Sequence, residues 1–233
     1  MILLEGSTVS EPEKEGRSES PVYQHNRTVI VVAPTVVILV DDLEAPVPCD
    51  WKSSLHLHPD VGARQASDRI VLTAPGLDGP NLFFAASEGN PQARIDNDWV
   101  APVYNRKVRS KTIRATAYDV RRTQLVTVVL LSPLEKRVSD CRCDIRFGRG
   151  EGNPRLSAAI IDIREGSSRH VLGIPPPGGA CDNQEISTDG RVASLLYKGG
   201  ILREVGLLGG TSVRAGGREI MAHSSVGDYF ELF

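Results

Sequence analysis

HNRTVIVVAPTVVILVDDLEAPVPCDWKSSLHLH, residues 25–58, decides the fold. Two β-branched runs, 28–32 and 36–43, flank a turn that contains Pro34. Both are nearly continuous in apolar residues, so both are expected to be strands covered on two faces. An acidic step at Asp41 and Asp42 follows, and a third stretch, 51–58, ends in the alternating His56 and His58. The pattern predicts a strand meander.

Outward from this block, strand signals follow one another at short intervals. DRIVLT (68–73), NLFFAA (81–86) and DWVAPVY (98–104) are each bounded by turn residues, and the proline in the last marks a strand end or bulge. KTIRATAY (111–118) and TQLVTVVLL (123–131) are expected to form a hairpin around 119–122. Residues 155–164 and 168–172 are expected to pair across 165–167, and PPPGG (175–179) must be a loop because proline cannot donate to a ladder. The tail repeats short apolar runs separated by Gly-Gly at 199–200, 209–210 and 216–217, each read as a hairpin turn. No segment carries helical periodicity with caps. The chain is therefore read as an all-β, antiparallel β-sandwich. Residues 1–22 are expected to be a loosely packed or disordered lead-in, 23–221 the sandwich, and 222–233 a tail without clear pattern.

The 233 residues suffice for one large all-β domain or two small ones. A net charge of −2 gives no global electrostatic case for nucleic acid or for an anionic membrane. The longest apolar run, 29–40, is broken by Pro34 and is short of the roughly 18 residues that span a bilayer. Cys141 and Cys143 form C-x-C, which is not zinc spacing, and four cysteines at this density do not predict a disulfide framework. G-x-S-x-G elbows and phosphate-binding glycine motifs are absent.

Three separated blocks resemble the C-terminal β-domain of the heparinase II/III-like polysaccharide lyases. The first is YQHNRTVIVVAPTVVILVDDLEA with WKSSLHLHP, where His25, Arg27, Asp41, Asp42, Leu43 and His56 fall on the family pattern. The second is DNDWVAPVYNRKVRSKTI ending in VTVVLLSP, where Tyr104 matches and Asn105 stands at the family's usual glycine. The third is DGRVASLLYKGGILREVGLLGGTSVRAGG, similar to the family's closing hairpins.

The resemblance implies a β-sandwich that sits beside an N-terminal helical toroid and walls a cleft for an acidic, uronate-containing polysaccharide. Lyases of this kind work by β-elimination: a base takes the C5 proton of the uronate and the 4-linked sugar leaves. Most of that catalytic set belongs to the toroid, and neither amphipathic helices nor an H-x-H-A-D segment is found in this chain. The chain alone is therefore expected to be inactive, with no catalytic residue assigned. A stand-alone carbohydrate-binding module and an interaction protein without glycan affinity are the alternatives. The family implies a periplasmic or extracellular setting, whereas MILLEGSTV lacks the basic and apolar regions of a signal peptide. The resemblance further implies a structural zinc in some members, with His56 at the place of one ligand and the other ligands upstream. His56 alone cannot hold the metal.

Among individual residues, His56 and His58 lie two apart and share a strand face. So do His25 and Arg27, read as an edge-strand pair that discourages aggregation. Asp41 and Asp42 are adjacent, point to opposite faces, and are not an acid–base dyad. Tyr104, Arg106, Lys107 and Arg109 form a basic loop with one aromatic. Tyr104, Arg106 and Arg109 are the candidate substrate contacts, because tyrosine stacks on sugars and arginine forks onto carboxylate or sulfate.

Overall fold

The computed structural model describes residues 2–10, 23–32, 35–74, 77–131, 141–151, 157–176 and 178–233. These contain strands and turns and no helix, so the antiparallel all-β class read from the sequence is the one observed. The chain divides into two compact units, Met1–Val138 and Ser139–Phe233.

Unit 1 holds β1 (Ile2–Ser10), β2 (Tyr23–Val32), β3 (Val36–His56), β4 (Gly62–Gln65), β5 (Ile70–Ala74), β6 (Leu77–Ala86), β7 (Gln92–Val103) and β8 (Arg106–Leu130). The sheet order is β1-β2-β3-β8-β6-β5-β4, and β7 also pairs with β8. The long strand β3 runs beside β8 for the whole of its own length, Val36 opposite Leu130 and His56 opposite Thr112. On its other side β8 pairs with β6 through 125–130 and with β7 through 106–116.

Ile113 and Val129 share one apolar cluster with Ile70, Leu82, Leu55 and Ile95. On a straight strand these two β8 residues would stand about 50 Å apart, at about 3.3 Å per residue. The sheet therefore folds over on itself, and the two halves face each other as the layers of a sandwich. The fold-over has a visible cause. The β3–β8 register breaks between Glu44, Cys49 and Trp51, where Pro46 and Pro48 interrupt the ladder, and Asp119 on β8 takes φ 53. Asp119 N–H donates to Asp50 Oδ1 at 3.2 Å, and Arg121 Nε to the Ala45 carbonyl at 3.2 Å, so the bend is tied from both strands.

Unit 2 holds β9 (Cys141–Glu151), β10 (Ser157–Glu165), β11 (Ser168–Ile174), β12 (Ala180–Asp182), β13 (Ile186–Thr188), β14 (Val192–Lys198), β15 (Ile201–Ala215) and β16 (Arg218–Leu232). The order is β13-β12-β9-β10-β11-β14-β15-β16, and β13 pairs with β15 as well as with β12. That second pairing, Ile186–Thr188 against Val213–Ala215, closes seven strands into a ring. Inside it lie Ala158, Ile160, Val171, Ile186, Leu195, Val205, Leu207 and Val213, all buried.

Several expectations are corrected. The hairpin predicted at 119–122 does not exist; the chain bends there but continues as the one strand β8, because 106–116 finds its partner in β7. Gly209–Gly210 is not a turn either, and β15 runs through it. Gly209 takes φ 64 at a register break, and a Cβ on Gly210 would lie 2.4 Å from Gly190 Cα, so these glycines serve a bulge and a close backbone crossing. Within the expected lead-in, residues 2–10 form β1 and pair with β2 along its length; 11–22 lie outside the described residues. The expected sandwich end at 221 falls inside β16, which carries residues of the expected tail into pairing with β15 as far as Leu232. The single span 23–221 crosses the division between the two units.

Candidate functional site

The β7–β8 hairpin turns through Tyr104 and Asn105, with Val103 opposite Arg106. Asn105 sits at φ 61, a left-handed conformation that glycine adopts freely and asparagine tolerates best among the others. This accounts for the substitution at the family's glycine. Tyr104, at the tip, is 93% exposed.

Strand alternation then sorts the basic residues. Residues on β8 three apart fall on opposite faces, so Arg106 and Arg109 are separated. Arg109 pairs directly with Trp99, and its guanidinium lies over the indole, 5.4 Å from the ring centroid. Trp99 is 55% exposed. Lys107 shares the Arg109 face and, with Asp98, Trp99, Val100 and Ala101, lines an open hollow of about 530 Å³. Here β7 carries a bulge, since Val100 and Val103 are three apart while their partners Val108 and Arg106 are two apart. The bulge widens the strand where the hollow opens. The sequence-predicted trio is therefore divided: Arg109 joins Trp99 and Lys107, Tyr104 caps the tip, and Arg106 projects from the reverse face.

The reverse face carries a chain of polar contacts. Thr112 Oγ1 meets His56 Nδ1 at 2.9 Å and donates to Asp98 Oδ2 at 3.4 Å. Arg114 reaches Asp96 at 2.8 Å and Asp98 at 3.1 Å, and Arg94 reaches Asp96 at 3.1 Å. Asp98 also accepts the Trp99 backbone N–H at 2.8 Å. That N–H first, then Arg114 and His56, hold the Asp98 carboxyl below the usual carboxylate range. With the Thr112 hydroxyl proton directed to Asp98, His56 Nδ1 is the donor to Thr112.

A third cluster lies on β2 and β3. Asp41, 2% exposed, accepts from His25 Nε2 at 2.8 Å and from Arg27 Nε and Nη2 at 2.6 and 2.9 Å. His25 and Arg27 do share a face, but β2 is not an edge: β1 covers it on one side and β3 on the other. Their work is to hold a buried carboxylate. The same hydrogen bonds keep Arg27 more firmly protonated than an ordinary arginine. Asp42 points the other way, to Gln124 Nε2 at 3.0 Å, and burial pushes its carboxyl up.

Zinc needs three or four convergent donors. Among the described residues no three His, Cys, Asp or Glu side chains are grouped to supply them. His56 offers one nitrogen, and His58 instead approaches Asp60 at 3.5 Å. The residues described here do not by themselves fit a zinc site. All four cysteines are free thiols, and burial, with Asp182 beside it, pushes the Cys181 thiol up to about 11.

Residues 5–141 match the family described as heparinase II/III-like, C-terminal. The chain belongs to this family. The matched span ends beside the boundary between the units and so corresponds to unit 1; the third block of resemblance, 189–217, lies beyond it. Among solved structures, one titled heparinase III-BT4657 gene product is similar at 15% identity and TM-score 0.49, and the same product with methylated lysines at 14% and 0.44. Each comparison covers 82% of this chain and 27% of the other, so the chain spans about a quarter of those proteins. No curated protein matches it.

Sequence reasoning missed Trp99, Asp96, Asp98, Thr112 and Arg114. A signal was present: Arg94, Asp96 and Asp98 alternate at strand period, which places a charged stripe on one face of β7.

Proposed function

We propose that this chain is the C-terminal β-part of a heparinase II/III-like polysaccharide lyase, and that its β7–β8 hairpin binds an acidic, uronate-containing chain. The exposed Trp99–Arg109 pair carries the reading. The indole offers a flat apolar surface for a sugar ring, and the guanidinium lying over it is held with its N–H edge available to a carboxylate or sulfate. Lys107 adds a second cation on the same face, and Tyr104 extends the aromatic surface at the tip. In the whole lyase the elimination chemistry would fall to residues of a helical domain. This chain's share is to hold and neutralise the uronate carboxylate, and alone it turns over no substrate.

Calorimetric titration of the full chain with heparin and alginate oligosaccharides tests this. Trp99→Ala and Arg109→Ala are each expected to weaken binding about tenfold, the loss of one stacking contact and of one charge-assisted contact, each of about 1.4 kcal/mol. Arg106→Ala on the reverse face is expected to change it little, and half-molar salt to weaken it strongly. Equal effects of Arg106 and Arg109, or salt-independent binding, would refute the assignment. Ultraviolet absorbance of unsaturated uronate products from the purified chain would refute the inactive reading. A free-standing carbohydrate-binding module is the second reading, favoured by the Trp99–Arg109 pair needing no second domain to form. It is distinguished by glycan affinity that stays the same when a helical domain of the family is supplied in trans.

A further inference from the structure

The interior of the unit 2 ring changes character along its length. At one end it is apolar, with Ala158, Ile160, Leu195 and Leu207. Toward the β10–β11 turn the same inward face carries Asp162, Arg164, Arg169 and Tyr197; Arg169 stands opposite Tyr197 just beyond the pair Val171 and Leu195. Here the ring opens into a hollow of about 410 Å³. Val171 floors it, Tyr197 lines one side, Arg169 and Glu185 another, and Gly200 and Gly216 from two hairpin turns leave the rim free of side chains.

The polar groups are fixed in advance. Asp162, 4% exposed, accepts paired hydrogen bonds from Arg169 at 3.0 and 2.8 Å and from Arg164 at 3.4 and 2.9 Å. Arg169 Nη2 also donates to Glu185 at 2.7 Å, and Arg146 holds the other Glu185 oxygen. Asn183 Oδ1 accepts the Glu185 N–H at 2.9 Å and sets its loop. With Asp144 on Arg146 at 3.0 Å, these three guanidinium groups are each held by a carboxylate; Arg142 stands opposite Arg164 on the same face, and the two charged residues that line the hollow itself, Arg169 and Glu185, offset each other. What remains unused, among the described residues, points to a ligand. Tyr197 packs one side on the core, lines the hollow with the other, and has no partner for its hydroxyl. Each Glu185 oxygen keeps a lone pair, Arg169 keeps Nη1, and Gln184 adds an amide.

We infer that this mouth is a binding site for a neutral pyranoside, separate from the hairpin of unit 1. Its volume lies within the roughly 300–1,000 Å³ of small-molecule sites, which favour the mouths of barrels. An aromatic wall takes the C–H face of a sugar ring, and the fixed donors and acceptors take its hydroxyls. Electrical neutrality excludes the polyanion preference of the hairpin.

Saturation-transfer NMR and calorimetry on the full chain, with methyl β-glucopyranoside, methyl N-acetyl-β-glucosaminide and glucuronate as probes, test this. At least one neutral glycoside is expected to bind more tightly than glucuronate. Tyr197→Ala is expected to weaken it about tenfold and Tyr197→Phe severalfold, while Trp99→Ala leaves it unchanged. Glu185→Gln, which keeps the ring, is expected to weaken it severalfold and serves where Tyr197→Ala does not melt cooperatively. No binding by either neutral glycoside, preference for glucuronate, wild-type affinity in a folded Tyr197→Ala or in Glu185→Gln, or loss in Trp99→Ala would overturn the inference. Loss in Trp99→Ala would transfer the neutral binding to the hairpin without touching the acidic-chain reading.

Discussion

Arg27→Ala removes two of the three hydrogen bonds that reach the buried Asp41 carboxylate, those at 2.6 and 2.9 Å, and leaves only His25. A hydrogen bond to a charged group is worth about 1.5–3 kcal/mol, and breaking a fully buried pair costs about 3–5 kcal/mol. The Arg27 side chain is 43% exposed, which screens its part of the gain, whereas that of Asp41 is 3% exposed and cannot recover water. The expected loss is about 2–4 kcal/mol, dominated by the orphaned carboxylate. With a urea slope of about 2 kcal/mol/M, the midpoint should fall by about 1–2 M. Both tryptophans, Trp51 and Trp99, lie in unit 1, so tryptophan fluorescence reads this unit alone. The decisive comparison is a double-mutant cycle with Asp41→Asn, in which no charge is left to orphan. There Arg27→Ala should cost under about 1 kcal/mol. An equal cost in both backgrounds, or a loss under about 1 kcal/mol in the wild type, would refute the claim that the clasp stabilises by neutralising Asp41.

Burial pushes the Asp162 carboxyl up, but hydrogen bonds from Arg169 and Arg164 outweigh it and hold it below its ordinary value. A depressed carboxyl contributes stability above its unfolded pKa of about 3.9 and loses it as pH falls through the folded value. Asp162→Asn should therefore weaken unit 2 at neutral pH and flatten its acid unfolding below about pH 4, followed by amide NMR signals of β10 and β11. Asn105→Gly should leave thermal stability within about 0.5 kcal/mol, while Asn105→Val, forced to positive φ, should cost about 1–2 kcal/mol. A Cβ on Gly210 would lie 2.6 Å from Gly190 N as well as on its Cα, so Gly210→Ala should cost at least about 2 kcal/mol by calorimetry. Gly199→Ala, whose Cβ meets nothing within 4 Å, should cost only about 1 kcal/mol of backbone strain.

Local chemistry made much of the fold legible. The pairing of β2 with β3, the pairing of β10 with β11 across Gly166–Ser167 and the turns at Gly199–Gly200 and Gly216–Gly217 all follow from residues within one hairpin, while Pro34 and Pro177 lie outside the described residues. The failures share one cause: the deciding partner was distant in sequence. Asp119–Arg122 carries turn residues, yet β7 and β3 capture 106–120 and keep β8 extended. Gly209–Gly210 matches Gly216–Gly217 in sequence, but only the crossing by Gly190 makes the former a strand interior. The candidate site shows the same division. Alternation along β8 already separates Arg106 from Arg109, whereas the stacking of Arg109 on Trp99 requires the register of β7 against β8. Asp162, Arg169 and Tyr197 meet on the neighbouring strands β10, β11 and β14, and the ring closure through β13 brings Glu185 to them.

Because β3 and β8 each pass through both layers of unit 1, neither layer owns its strands. The layers cannot slide over one another, and a cleavage that freed one would take half of each long strand from the other. Amides in 36–44 and 49–56 should therefore exchange with deuterium at a common rate, as a single cooperative block. Any ligand held at the β7–β8 tip is thus anchored to a body that deforms by fraying at the tip rather than by opening as a hinge.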